Sequence, residues 1–373
     1  GGYVMDDGWW GEGSPTYHYY PLRAMLLSAD AVRCRNINLY DRKLYKMLAA
    51  PASGVYADLY FPAHNDGWYG ESLIAQVSLY EIACQRYNND PFFLSVLQQC
   101  YRYTDRNFGE ALQNNIEIPQ VTAMAAWPSV HFKETGYAVL RSGTKTVVMK
   151  YGPHGGGHGH PDKLSISIHD GEKEIVSDMG TCAYGVPAFT KWYRKTLSHS
   201  TLTVDAKDQK ESTGKLLAFK AYKDGGEVSA EALGAYSGVA MERRLILKKN
   251  KLTDILTARS DEQHLYDYVL ILTEKPVFSQ TGEVIILNDS PSYNYIKNTI
   301  VRKQSSPLSC KIGKAYMKIE VSEGQEFEVI TGEAPGIPPG NGSVLSKYDS
   351  PFCYPLIVRV KDKKLRIKTE WKF

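Results

Sequence analysis

The sequence lacks several features that would place it at once in a large class of proteins. Its six cysteines contain no C-x-x-C pair, so neither a zinc knuckle nor a thioredoxin-like motif is present. No run of about 18 apolar residues exists to span a bilayer. The first ten residues, GGYVMDDGWW, have neither the basic start nor the apolar run of a signal peptide. They look like the middle of a domain, which predicts an N-terminally truncated fragment.

The sequence also has little excess charge. Its 44 basic and 41 acidic residues leave a formal charge of +3, which gives no support to nucleic-acid binding by a strongly basic surface. Aromatic residues are abundant instead, at 12% of the chain with 26 tyrosines. Such rings suit a carbohydrate cleft, where they stack on sugar faces, or an aromatic-rich β core, and the composition is compatible with both.

The chain divides into two parts by periodicity, and its 373 residues already favour two domains. Helical spacing predominates from Ser14 to about Gly109, with four predicted helices, the second of them stopped by Pro51. After Met124 the pattern becomes short alternating runs such as YAVLRS and LSISIHDG, separated by turn residues. We therefore predict an α+β multidomain protein, with a helical domain over 1–124 and an antiparallel β-sandwich over 125–373.

Two loops in the helical part repeat one pattern. DGWWGEGS begins at Asp7, and DGWYGES begins at Asp66. Each loop leads into a predicted helix, which indicates repeated helical hairpins with equivalent loops at one rim. Turn chemistry capped by a core ring is the other interpretation of a glycine beside a tryptophan.

Three of the nine histidines and four glycines fall within seven residues, 154–160. In an extended backbone, His158 and His160 point to the same face, where they would supply half of a zinc site. Asp178 and His199, further along the chain, are candidates for the remaining ligands. Each also has a structural interpretation, as a turn-forming aspartate and a buried hydrogen-bonded histidine.

Four motifs in order resemble those of one family. GGGHGHPDKLSISI, SDMGTCAYG and WYRKTLSHSTLTVD are similar to the signature of the heparinase II/III-like polysaccharide lyases, and DGWWGEGSPTYHYYPLRAML is similar to their helical tyrosine motif. The resemblance implies an incomplete (α/α) toroid of helical hairpins followed by the antiparallel β-sandwich. It also implies a secreted or periplasmic protein.

The resemblance assigns roles to residues of this chain. It implies a structural zinc ion, about one per chain, held by His160, Asp178 and His199, and it predicts that His160→Ala loses the metal. His158 would then face the substrate. Tyr17, with Tyr19 as its nearest competitor, would present the catalytic phenol. Two further tyrosines are similar to family positions that reach the same cleft, Tyr184 and Tyr193.

A second group of residues is predicted to bind the substrate: Glu12, His18, Trp10, Asn65, Trp68 and Arg194. The family places an asparagine that grips the substrate carboxylate about fifty residues ahead of the tyrosine, and Tyr17 is too close to residue 1 for that. The resemblance therefore predicts either a fragment that has lost this group and is inactive alone, or a substitute such as Asn65.

The predicted function is β-elimination on a uronic-acid-containing polysaccharide, a glycosaminoglycan or alginate, by tyrosine and histidine acid–base chemistry. The partner is thus an acidic polysaccharide, with no nucleic acid and no membrane. Two alternatives remain. One is a glycoside hydrolase on a similar toroid, for which Glu12 and Glu71 are the suggestive carboxylate pair. The other is a non-catalytic carbohydrate-binding fragment. The sequence does not distinguish among polymers or fix subunit number.

Overall fold

The structure is a computed structural model, which describes residues 3–104, 127–336, 338 and 351–373. The described residues of the helical part form four α-helices, all at positions that the periodicity predicts: α1 (Pro15–Arg33), α2 (Arg42–Ala52), α3 (Val77–Arg86) and α4 (Pro91–Cys100). Contacts join α1 to α2, and join α2, α3 and α4 to one another. The predicted domain boundary between residues 124 and 125 lies outside the described residues, and closure of the helices into a toroid stays a prediction.

Pro51 does not stop α2, which corrects the prediction. The helix continues to Ala52, so Pro51 lies in its last turn. A proline there leaves the carbonyl of the residue four positions earlier, Met47, without its helical N–H donor. Nε2 of His18 donates to that carbonyl oxygen at 2.8 Å, which satisfies it within the helical core.

From residue 127 onward, the described residues form 17 strands, and every pairing among these strands is antiparallel. They are β1 (Val130–Phe132), β2 (Tyr137–Ser142), β3 (Lys145–Lys150), β4 (Ser165–His169), β5 (Glu174–Val176), β6 (Leu202–Val204), β7 (Lys215–Tyr222), β8 (Gly225–Tyr236), β9 (Val239–Lys248), β10 (Lys251–Leu272), β11 (Val277–Phe278), β12 (Glu283–Val284), β13 (Lys297–Gln304), β14 (Leu308–Ile312), β15 (Ala315–Val321), β16 (Phe327–Pro335) and β17 (Phe352–Lys372).

Two long strands connect two layers. The first half of β10 pairs with β9 and with the end of β17, and the second half pairs with β6 and with the start of β17. The register shifts between Arg259 and His264, where the paired strands pass from one layer into the other. Alternate side chains of both layers share one buried core, which includes Leu140 and Ile168 from one layer and Leu245 and Ile319 from the other. This is sandwich packing, and the prediction of an antiparallel second half is confirmed.

The helical part is bound to the outer face of the sandwich by polar contacts. The Asp7 carboxylate accepts from the backbone N–H and the hydroxyl of Thr135, both at 2.8 Å. The Arg141 guanidinium, on β2, donates to the carbonyl oxygens of Ser53 at 2.7 Å and Val55 at 2.8 Å. Satisfied polar groups at a buried junction fix the relative positions of the two parts, and any site between them inherits that geometry.

A buried carboxyl group also joins the two parts. Glu174, on β5, accepts from the hydroxyls of Tyr56 at 2.5 Å, of Tyr69, and of Ser177 at 3.0 Å. Burial raises the pKa of Glu174 to about 8, because the charged form is poorly solvated there. Two of its three partners belong to the helical part, so its protonation affects the junction.

We expect the contribution of Glu174 to the free energy of unfolding to fall as the pH rises from 4.5 towards about 8. In that interval the folded protein keeps the Glu174 proton, whereas the unfolded chain has lost it. The decline has a limiting slope of about 1.4 kcal/mol per pH unit. Glu174→Gln mimics the neutral carboxyl and should remove this contribution. The free energy of unfolding in urea, measured at both ends of the interval for the variant and for the wild-type protein, gives the difference between their pH slopes. Glu172→Gln, an exposed carboxylate paired with Lys314, is the control that should keep the wild-type slope.

Two further features of the fold bear on the sequence analysis. All six cysteines lie within the described residues and are free thiols, five of them buried. Among the described residues, none of the helices combines the length and apolar character needed to cross a bilayer.

Candidate active site and metal centre

The glycine-rich loop turns its two central histidines in different directions. Gly156–His158 forms a single 3-10 turn, and Gly159 then returns the chain to an extended conformation. His158 is half-buried at the surface, whereas His160 is fully buried. The expectation that both rings share a face is therefore wrong. A side chain at Gly159 would overlap the carbonyl of His154, so the tight loop requires glycine there.

His158 meets Tyr17 at the surface between the helical part and the sandwich. The two rings are stacked, with centroids 3.7 Å apart and planes 16° from parallel. Nδ1 of His158 lies 3.1 Å from Oε2 of Glu12, which comes from the first DGW loop. If Nδ1 carries the proton for this bond, Nε2 keeps a free lone pair and can accept a proton from a ligand.

Tyr184 completes this surface group from the sandwich side. Its hydroxyl forms a short hydrogen bond with the hydroxyl of Tyr17 and donates to Oδ2 of Asp66 at 3.2 Å. Partial burial, the bond to Tyr17 and the charge of Asp66 all raise the pKa of Tyr184. Its phenol is thus held in the protonated form, beside the ring of Tyr17.

A chain of buried groups runs inward from Asp66. Oδ1 of Asp66 lies 2.9 Å from Nε2 of His160, and Nδ1 of His160 lies 3.3 Å from Nε2 of His199. On its far side, Nδ1 of His199 is 3.3 Å from Oδ1 of Asp178. Burial lowers the pKa of His160 to about 4, so this ring is neutral and has one donor and one acceptor nitrogen.

Three buried side chains present ligand atoms to one another at the inner end: Asp162, Asp178 and His199. Their ligand atoms lie within 4.8 Å of one another. Within the described residues, Oδ2 of Asp178 makes no hydrogen bond, and two further atoms have only ion-pair contacts: Oδ1 of Asp162 with Lys163 at 3.7 Å, and Nδ1 of His199 with Oδ1 of Asp178 at 3.3 Å. Buried polar atoms are normally satisfied, and carboxylate and imidazole donors suit a divalent cation, so these residues fit a metal ion. Asp178 and His199 are two of the three predicted ligands, and Asp162 takes the third place in this geometry.

Lys150 contacts both Asp162, one of these three residues, and Asn65. The Lys150 ammonium donates to Oδ2 of Asp162 at 2.6 Å and also to the amide oxygen of Asn65. Burial alone would raise the pKa of Asp162, but the charges of Lys150 and Lys163 outweigh it and hold that pKa well below its usual range. Asp162 is thus ionised and is available as a ligand through its second oxygen.

The structure corrects three predicted assignments. Tyr193 is buried, and its hydroxyl donates to the carbonyl of Gly336 at 2.7 Å, away from Tyr17. His18 does not line a cleft. It is fully buried, its Nε2 bonds the carbonyl oxygen of Met47, and burial lowers its pKa to about 4. Asn65 is 1% exposed, with its amide nitrogen bonded to carbonyls of the first DGW loop, so it is not available to bind a sugar carboxylate.

The remaining predicted substrate residues lie at different distances from the site. Arg194 donates to the carbonyl of Gly159 at 2.9 Å and packs over Phe189, so its charge lies beside the histidine loop. The backbone of Trp68 donates to the Thr16 hydroxyl, next to Tyr17. Trp10 instead packs against Tyr3 in a groove beside α1 and α2.

Glu12 and Glu71, the carboxylate pair predicted for a hydrolase, each form a hydrogen bond with another side chain of the protein. Glu12 is bonded to His158, whereas Oε2 of Glu71 accepts from the Thr16 hydroxyl at 2.8 Å. Burial raises the pKa of Glu71 to about 7. Glu12 thus supports His158, and Glu71 supports the residue that precedes Tyr17.

Sequence reasoning missed two residues of the site, Asp66 and Asp162. Asp66 opens the second DGW loop, and the repeat of that loop was a usable signal. Asp162 lies two residues after His160 in the same motif.

Known proteins are similar to this chain in sequence and in fold. A family model described as heparinase II/III-like, C-terminal, matches residues 124–270. Over these residues the chain is similar to the heparinase II/III-like family. An alginate lyase from Stenotrophomonas maltophilia is 28% identical over 306 residues, covering 71% of this chain and 40% of that protein. An exo-oligoalginate lyase from Saccharophagus degradans is 29% identical over 150 residues, covering 33% of this chain and 20% of that protein.

Solved structures of the heparinase II/III-like family share the fold. The heparan sulfate lyase HepC from Pedobacter heparinus superposes with a TM-score of 0.71 at 16% identity, over 99% of this chain and 54% of that one. A heparinase III structure gives a TM-score of 0.70 at 16% identity, over 99% of this chain and 55% of that one. The chain thus spans about half the length of the solved structures, and less of the curated relatives.

Proposed function

We propose that this protein is a member of the heparinase II/III-like family and a polysaccharide lyase that cleaves uronic-acid-containing polymers by β-elimination. The observation that carries the proposal is the surface group of Tyr17, His158 and Tyr184, in which a phenol and an imidazole from the two parts of the chain are in direct contact. The relatives named as alginate and heparan sulfate lyases favour an acidic polysaccharide as the substrate.

Elimination next to a uronate needs a base for the C5 proton, an acid for the leaving oxygen, and a partner for the carboxylate. We assign the base to Nε2 of His158, whose other nitrogen faces Glu12. We assign the acid to Tyr17, held in place by Tyr184 and by the stacked imidazole. Arg194, beside Gly159, is the proposed partner of the substrate carboxylate, to which a guanidinium can bind in a bidentate manner.

The proposed metal is zinc, held by Asp178 and His199 with Asp162 as the third ligand. The predicted ligand His160 would then contact the centre through His199 rather than directly. A bound zinc ion supplies positive charge that neutralises the converging carboxylates. Anchoring Asp162 would also restrict the position of His158, because His158, His160 and Asp162 belong to one short loop.

The experiment is a substrate panel of alginate, heparan sulfate, chondroitin sulfate and hyaluronan, with a neutral glucan as the negative control. Elimination leaves a C4–C5 double bond in the new non-reducing uronate, which absorbs in the ultraviolet. We expect absorbance to rise with at least one uronate polymer and not with the glucan. Chain cleavage without absorbance would show a hydrolase, and binding without cleavage would show a carbohydrate-binding protein; either outcome contradicts the proposal.

A further inference from the structure

Asp66 lies between the buried histidines and the surface tyrosines and touches both groups. We propose that Asp66 is a positioning residue that links the metal centre to Tyr184, and through Tyr184 to Tyr17. The inference rests on the proposed lyase function and adds a residue to it. Asp66 touches neither the metal ligands of the proposed centre nor the reacting atoms, so its role is to orient the groups that do.

The hydrogen bonds of Asp66 assign the protons around it. With the two carboxyl oxygens of Asp66 as acceptors, Tyr184 donates to Oδ2 and the Nε2–H of His160 donates to Oδ1. Nδ1 of His160 is then the acceptor nitrogen, and it receives the Nε2–H of His199. His199 is left with a lone pair on Nδ1, which is the atom that faces Asp162 and Asp178 in the proposed metal centre.

This assignment connects metal binding to the tyrosine by direct contacts. If His199 held the metal through Nδ1, the tautomers of His199 and His160 would be fixed, and His160 would in turn orient Asp66. Carboxylates that bond metal-site histidines commonly set ring orientation and ligand basicity in this way. The backbone N–H of Asp66 also donates to the carbonyl of His158 at 3.1 Å, so the same residue supports the loop that carries the proposed base.

Tyr184 needs such support because its side chain is 52% exposed. Its ring packs against Phe189, with centroids 4.7 Å apart, but the hydroxyl is held only by polar contacts. Asp66 is 1% exposed and fixed by His160, so it offers Tyr184 a rigid acceptor. Without that acceptor, the hydroxyl that bonds Tyr17 would sample other positions.

The test is Asp66→Asn, which keeps the size of the side chain but replaces one acceptor oxygen with a donor. We expect kcat to fall about 10- to 100-fold on the uronate polymer that the wild-type protein cleaves fastest, with KM nearly unchanged. Zinc affinity, measured by competition with a chelator, should weaken by about 10-fold or more. Asp30→Asn is the matched control from the helical part; its carboxylate accepts from Tyr40 and Arg86, so it should lower thermal stability and leave kcat and zinc affinity at wild-type values.

A double-mutant cycle with Tyr184→Phe separates positioning from a general loss of structure. If Asp66 acts through Tyr184, Asp66→Asn should cause little further loss of kcat once the Tyr184 hydroxyl is gone. Full additivity of the two effects, or wild-type values of kcat or of zinc affinity in Asp66→Asn, would overturn the inference. If the wild-type protein cleaves no polymer, the lyase proposal fails by itself, and the zinc-affinity measurement still decides whether Asp66 is coupled to the metal centre.

Discussion

Tyr17→Phe lowers kcat by about two to four orders of magnitude, the range expected when one group of an acid–base pair is removed. The substitution removes the proposed proton donor and its bond to Tyr184, but it keeps the ring that stacks on His158. Because the aromatic contact survives, we expect KM to change far less than kcat. Steady-state kinetics from the ultraviolet absorbance of the unsaturated product measures both values.

Tyr20→Phe is the matched control for this prediction. Tyr20 lies on α1 three residues after Tyr17, and its side chain is 82% exposed. It should behave as the wild-type protein does. A Tyr17→Phe variant with at least a tenth of the wild-type kcat would remove Tyr17 from the chemistry and would leave Tyr184 or His158 as the group to examine.

His199→Gln and Asp178→Asn should abolish stoichiometric zinc binding and lower the stability of the protein. Each change removes a ligand from the buried group of Asp162, Asp178 and His199. A ligand present at about 1000 times its Kd stabilises the folded state by about 4 kcal/mol, which is the scale of the expected loss. Elemental analysis gives the zinc content, and urea unfolding with and without zinc gives the stability.

Two further variants identify the third ligand. Asp162→Asn should abolish stoichiometric zinc binding, whereas His160→Gln should still bind one zinc ion, with an affinity about 10-fold weaker, if His160 bonds only His199 and Asp66. The reverse pattern would restore the ligand set implied by the sequence resemblance. His154→Gln, in the same loop but outside the metal group, is the control that should retain full occupancy. A metal-free wild-type protein in zinc-supplemented medium would contradict the metal proposal altogether.

Much of the fold could be predicted because periodicity reports local structure directly. The four helices and the antiparallel second half follow from the spacing of apolar residues, which tertiary contacts did not override. Pro51 is the exception. Its helix continues because His18 satisfies the carbonyl that the proline leaves without a partner, and that contact joins residues 29 positions apart.

The candidate site was only partly predictable, for the same physical reason. The motifs placed Tyr17, His158, Asp178 and His199 in one region, and the structure brings them together. The direction of His158 relative to His160 depends on a glycine-rich turn, which an assumed extended backbone does not represent. Asp66 acquires its role from His160, 94 positions away, and no local pattern encodes such a pairing.

Other predicted roles were wrong because the type of a residue does not reveal whether its side chain is buried. Asn65, His18 and Tyr193 are residue types that commonly bind sugars or move protons, yet all three are buried and their hydrogen bonds are made inside the protein. Lys150 is a residue type that is usually exposed, yet here it is 1% exposed and donates to Asp162. The coordinates separate these structural roles from catalytic ones.

The masses of the products test elimination most directly. When a uronate oligosaccharide of known mass is cleaved once by elimination, the two product masses sum to that of the substrate, and one product carries the double bond. Mass spectrometry after digestion by the wild-type protein should show this sum, and the signal should be nearly absent with Tyr17→Phe. Products whose masses sum to the substrate plus one water would demonstrate hydrolysis and would contradict the proposed chemistry of Tyr17 and His158.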